Sequence, residues 1–246
     1  MNVYGVWAAC VAIFVLAGVV KGVTGMGLPT VAIALMAGLL PTSLAAALLV
    51  VPTLATNLRQ ATGPGVLPLL RRLWPMLALT VAGTLLTAPL LAASGNGISS
   101  GWLGVVLLVY ALQGLRRHPW QVPRAAERWL SPLVGALTGV AGGATGVFIV
   151  PSVPYLQALG LERDALVQAL ALSFTVSTVT LGSVLAGHGA MGLRTAAVSA
   201  LLVLPAMAGM YLGNRIRERI SAVVFKRVFL LCLVLLGMEL VWRAWG

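Results

Sequence analysis

The stretch GVVKGVTGMGLPT, Gly18 to Thr30, sets one lysine and four glycines inside an otherwise apolar run. A cation flanked by residues that tolerate positive φ and close backbone approach suits the binding of an anion. A helix starting after Gly27 would begin with N–H groups that have no partner within the helix, and these favour negative charge. Pro29 fits the first turn of such a helix, where a missing N–H costs little. A second stretch, TGVAGGATGVFIVP from Thr138 to Pro151, repeats the pattern when Gly22 is laid on Gly139 and Gly25 on Gly142. The candidate substrate-binding residues of the two stretches are Lys21, Thr24, Gly25 and Gly27 in the first, and Thr138, Gly142, Gly143 and Thr145 in the second. Two plainer roles compete: glycines let membrane helices pack closely, and a lysine at the end of a full span snorkels to the interface.

Polar residues in the segment after each stretch can complete the site: Thr53, Thr56, Asn57 and Gln60 in the first, Gln168, Ser173, Ser177 and Thr178 in the second. Of these, Thr53, Asn57, Ser173 and Ser177 are the preferred candidates, with Asn57 carrying the largest polar group. Pro52 frees a backbone carbonyl close by. Hydrogen bonding between helices is the plainer role for any single serine or threonine. The acids Glu127, Glu162, Asp164 and Glu218 fall in loops or interfacial turns, and Glu239 sits where it can pair with Arg243. With no carboxylate at mid-depth, an anionic or neutral substrate is the better reading, and a cation or metal permease is the alternative. Ser173 and Ser177 have no embedded histidine or carboxylate to activate them, so an enzyme is not expected. His118 and His188 lie in a loop and a turn, and Cys10 and Cys232 lack metal-ligand spacing; neither a metal nor a cofactor is expected.

These residues must be positioned by a bilayer protein. The chain is 60% hydrophobic and 9% charged, more apolar surface than a soluble core of this length can hide. Apolar runs at Val3–Val20, Ser43–Asn57, Leu73–Ala93, Trp102–Leu115, Ala165–Ala186, Thr195–Gly213 and Val224–Trp242 approach the roughly 20 residues that span a bilayer as helix. The expected class is therefore an all-α polytopic membrane protein. Val3–Val20 has no basic residue before it and reads as a retained helix, not a signal peptide.

Of the 16 Lys and Arg residues, three lie in 59–72, four in 116–128 and five in 215–227, which puts these loops on the cytoplasmic side. Basic residues concentrated in short loops argue against nucleic acid as a partner. The uncharged turn SGNGISS and the stretch from Gly187 to Arg194 then face outward, as do both termini, giving a multi-pass protein of a bacterial inner membrane. Each half has about five hydrophobic segments, an odd number, so the second copy is inverted: repeat one is 1–118 and repeat two 119–246, an architecture common in secondary transporters. The arms 28–40, 129–141 and 147–159 are about 13 residues each and reach about 20 Å, short of the hydrocarbon core, so they suit half-crossings in glycine-broken hairpins. Partners expected are a small anion and membrane lipid; a homo-oligomer is compatible with the sequence.

GVVKGVTGMGLPTVAIALMAGLLPTSLAAALLVVPTLATNLRQ and GALTGVAGGATGVFIVPSVPYLQALGL resemble the sulfite exporter TauE/SafE family of membrane permeases. The resemblance implies movement of sulfur-containing or organic anions such as sulfite, sulfoacetate or related sulfonates. By alternating access, two glycine-rich hairpin tips would expose the anion to each side in turn. Where family copies often carry three adjacent glycines, this chain has Gly25-Met26-Gly27 and Gly142-Gly143-Ala144.

Overall fold

A computed structural model of the chain describes residues 3–25, 27–62, 65–93, 98–115, 121–217 and 222–245. The uncharged turn at 94–97, the loop 116–120 with His118, and the stretch 218–221 with Glu218 lie outside the described residues. All regular structure among the described residues is helical: α1 (Val3–Thr24), α2 (Leu28–Met36), α3 (Thr42–Ala61), α4 (Val66–Ala93), α5 (Ile98–Leu115), α6 (Arg124–Thr145), α7 (Ser152–Ala158), α8 (Arg163–Gly187), α9 (Leu193–Leu201), α10 (Val203–Arg217) and α11 (Ala222–Trp245). Among the described residues, five stretches are long and apolar enough to cross a membrane: Gly5–Thr24, Val66–Ala93, Arg163–Gly187, Leu193–Arg217 and Arg227–Trp245. The protein is a multi-pass helical membrane protein.

The broken segments are unequal. α1 and α6 each run for 22 residues, about 33 Å at 1.5 Å per residue, enough to cross on their own. Residues 129–141, expected as a short arm, are the middle of α6 and not a half-crossing. The short elements are those that follow: α2 has nine residues and α7 seven, neither reaching across a bilayer. Both are apolar on nearly every side, the mark of a helix enclosed by protein. Leu28, Val31, Ala32, Ile33, Ala34 and Met36 of α2 are all buried, as are Val153, Tyr155 and Leu156 of α7.

Small residues draw the long helices together in pairs. α1 packs on α10 with both chains running the same way: a Cβ on Gly18 would run into the Ala206 carbonyl, and one on Gly209 into the Val15 carbonyl. α4 packs on α6 in the same sense, with Gly139 against the Thr80 carbonyl and Gly83 against that of Ala136. Such contact brings backbones together where lipid offers no hydrophobic drive. Thr87 Oγ1 tightens the second pair by donating to the Val140 carbonyl at 3.0 Å. Glu127, expected in a loop or an interfacial turn, lies in the first turn of α6, where Arg72 of α4 grips it through two nitrogens at 2.6 and 2.9 Å. Glu239 and Arg243 pair as expected, at 2.5 Å.

Pro52 interrupts α3, and its missing N–H strips the Leu48 carbonyl of its helical donor. That carbonyl, which the sequence suggested for the site, is already occupied. Ser199 of α9 is fully buried; its Oγ donates to Leu48 O at 2.8 Å and accepts the Val51 N–H at 3.2 Å. We expect Ser199→Ala to lower stability by about 1–3 kcal/mol, the cost of an orphaned buried carbonyl. A melting curve in detergent measures this, and an unchanged midpoint would mean that Leu48 finds another donor.

Candidate functional site

The two breaks share one local geometry. α1 ends at Thr24, and the next residue, Gly25, has φ of 80°; α6 ends at Thr145, and the next, Gly146, has φ of 78°. Only glycine adopts this region without cost, so Thr-Gly is the shared stop signal. Gly27, with φ of 99°, caps the N-terminus of α2. Thr24 Oγ1 donates back to the Val20 carbonyl at 2.8 Å, and Thr145 Oγ1 to the Ala141 carbonyl at 2.7 Å. The second break therefore falls one helical turn beyond Gly142, where the sequence alignment had put it. Gly142 and Gly143 are inside α6, the former against the Phe148 ring and the latter against α4. Their positions are those of packing glycines, not of a tip.

Between the breaks lies a small pocket. The start of α2 (Pro29), α3 (Ala46, Leu49, Val50, Thr53), the segment after α6 (Gly146, Phe148, Ile149) and α8 (Phe174, Thr178, Leu181) enclose it. Its volume of about 20 Å³ holds one water-sized group. Thr53 and Thr178 are its hydroxyls. The Thr53 hydroxyl is buried without a hydrogen-bond partner among the described residues, as are those of Thr30 on α2, Ser173 on α8 and Thr138 on α6. Buried polar groups are normally satisfied, and of these hydroxyls Thr53 is the one on the pocket wall; Ser131 of α6, far from the pocket wall in sequence, is unpartnered too. Ser177 is not among them, since its Oγ donates to the Ser173 carbonyl at 2.8 Å.

One turn along α3 from Thr53 sits the buried cation. Lys21 is 3% exposed, and its ammonium reaches Thr56 Oγ1 at 3.0 Å and Asn57 Oδ1. Thr56 in turn donates to the Pro52 carbonyl at 2.7 Å. The lysine, in the last turn of α1, thus turns toward α3. Among the described residues no carboxylate lies within ion-pair distance of it. The Asn57 amide nitrogen has no partner among the described residues. Lys21 is thus held by neutral side-chain oxygens.

The structure therefore brings Lys21 and Asn57 together, and gathers Thr53 with the second-half segment at Gly146 and with Thr178. Thr24, Thr138 and Thr145 lie in α1 and α6 away from the pocket wall. Sequence reasoning missed Gly146, Phe148, Ile149 and Phe174; the Thr-Gly pair shared by the two breaks was the signal that would have found the first. It also missed Ser199, which only the freed Leu48 carbonyl betrays.

No curated protein and no solved structure matches the chain. The family described as Sulfite exporter TauE/SafE matches residues 10–240, nearly the whole length. With its helical spans and its two glycine-broken segments, the chain belongs to the TauE/SafE family of membrane permeases.

Proposed function

We propose that the protein carries a small oxyanion, sulfite or a related sulfonate, by alternating access around the pocket between Gly25 and Gly146. The observation that carries this reading is Lys21: a buried ammonium with neutral partners only, in a site with spare hydrogen-bond donors. Orphaned hydroxyls on Thr30, Thr53 and Ser173 supply further donors for sulfur-bound oxygens. At about 20 Å³ the pocket is too small for such an anion, so binding it requires α2 or the 146–149 segment to move. The left-handed glycines are the natural hinges for that motion.

The same reading divides the chain into inverted repeats, 1–118 and 119–246. One spacing relates Thr24 to Thr145, Gly18 to Gly139, and the first residue of α3, Thr42, to that of α8, Arg163. The parallel pair α1 with α10 then has its counterpart in α6 with α4. Under that spacing Lys21 corresponds to Gly142 and Gly27 to Phe148, so the two halves exchange a large and a small residue. The charge of Lys21 then has no counterpart at the matching position of the second half.

The test is flux into right-side-out vesicles and proteoliposomes with sulfite, sulfoacetate and taurine against chloride. One of the sulfur anions should move at least about tenfold faster than in protein-free vesicles while chloride does not; equal rates for all would remove the anion assignment. In the same vesicles Arg117→Cys should resist external labelling, since the loop containing it is assigned to the cytoplasm. Strong external labelling would overturn both the orientation and the inverted repeat.

A further inference from the structure

A second concavity lies away from the anion site, at the end of the bundle where α1, α3 and α9 begin. It is a cleft of about 250 Å³, more than ten times roomier than the central pocket. Its walls are apolar: Cys10 of α1, Leu44 and Leu48 of α3, and Val198 and Leu202 beside the break between α9 and α10. At its rim stand Arg194 and Thr195 on the first turn of α9, with Trp7, 41% exposed, opposite on α1.

The opposite end of the same architecture is built differently. Under the spacing that relates the halves, Val6 and Cys10 correspond to Glu127 and Ser131, and the Glu127 carboxylate is gripped there by Arg72. Ionic packing ties that end together, whereas the end at Arg194 keeps an open apolar space. The fold therefore does not require the cleft.

We propose that this cleft binds one acyl chain of an anionic glycerophospholipid, with the headgroup phosphate on Arg194. Three observations select this occupant. A wall of leucine and valine offers nothing to a small oxyanion, which excludes a branch of the transport path. The chain is a membrane protein, so acyl chains are the apolar ligand always at hand. Arg194 is the lone Lys or Arg between Arg163 and Arg215, and no acid among the described residues pairs with it. Its charge at the lip complements a phosphate, and Trp7 at the same level is the residue type that sits at headgroup depth. The inference does not depend on which anion is carried.

Native mass spectrometry of the full chain from dodecyl maltoside micelles tests it, with phosphatidylglycerol and phosphatidylcholine of identical acyl chains added in equal amounts. The wild type should retain one lipid per chain and prefer phosphatidylglycerol about fivefold, the factor that one interfacial basic residue confers. Arg194→Gln should bring that preference close to one while a lipid is still retained. Leu44→Trp, which fills the cleft, should remove the retained lipid; if it does not fold, as judged by its melting curve, Val198→Trp takes its place. A preference unchanged in Arg194→Gln would overturn the headgroup assignment, and lipid unchanged in the filled variant would overturn the site. A dimer that disappears in the filled variant would instead assign the cleft to a second copy of the chain, again overturning the proposal.

Discussion

Lys21→Met is expected to abolish anion transport while leaving the protein folded. The reason lies in how the lysine is held. Removing an ammonium from water costs several kcal/mol even after relaxation. Here the return is hydrogen bonds to Thr56 and Asn57, each worth about 1.5–3 kcal/mol when the donor is charged. Neutral partners leave that cost largely unmet, and an arriving anion is the group that would offset it. Methionine keeps the length and removes the charge. Anion affinity should fall by about 100-fold or more, from the roughly 3–5 kcal/mol lost when one member of a buried ion pair is deleted. The melting temperature of the anion-free protein should hold or rise, because an uncompensated buried charge has gone. Asn57→Asp makes the complementary test: it supplies the missing carboxylate from within, so it should also stop transport, this time by occupying the cation. Flux per folded molecule and melting curves measure both. Near-normal flux in Lys21→Met, or a collapse of its folded yield, would make Lys21 a structural residue.

Why Lys21 was legible in the sequence, and the second break was not, has a physical answer. A lone cation in an apolar run stands out because burial makes it costly; no tertiary knowledge is needed to see that. Glycines lack that clarity, since the same residue serves a left-handed turn, a close helix crossing and a contact with an aromatic ring. In this chain Gly146 does the first, Gly139 the second and Gly142 the third. Matching the two stretches on glycines alone therefore aligned a hinge with a packing position. The Thr-Gly pair carries more information, because the threonine hydroxyl bonds back one turn and the glycine alone can turn left-handed. Helix positions followed readily from apolar length: six of the seven apolar runs fall within single helices, and the run Thr195–Gly213 is interrupted at Leu202 between α9 and α10. What length did not reveal is that α6 continues through its glycines, because Gly135, Gly139 and Gly143 are each pressed against α4. Helix–helix contact holds the helix where propensity alone would break it.

The two hinges are chemically distinct, and that separates backbone strain from crowding. At Gly25 an added Cβ would meet no atom of the described residues beyond its chain neighbours within 4 Å, so the obstacle to a side chain is the φ of 80°. At Gly146 the φ of 78° is joined by Ile33 Cδ1 and by Ala46 Cβ, the latter 3.2 Å from where a Cβ would sit. Asparagine is one of the few other residues at ease in the left-handed region, whereas a β-branched residue there is a true outlier. Gly25→Val should therefore lose most of its flux and Gly25→Asn should recover at least about half of it. At Gly146 both should fail, because any side chain is driven into α2 and α3 beside the pocket, and Gly146→Val should fall to below about 1% of wild-type flux. Gly237→Val serves as the control. It lies on α11 against the Gly104 carbonyl of α5, away from both breaks, and should lower the folded yield while the surviving molecules still transport. Gel filtration after detergent extraction gives the folded amount, and flux is divided by it. Wild-type flux in Gly25→Val would mean that the left-handed turn is dispensable. Wild-type flux in Gly146→Asn would mean that the close approach of the second break to α2 and α3 forms no part of the transport site. If flux and folded yield instead fall in proportion at both hinges, these glycines hold the bundle together and the site reduces to Lys21 with its partners on α3.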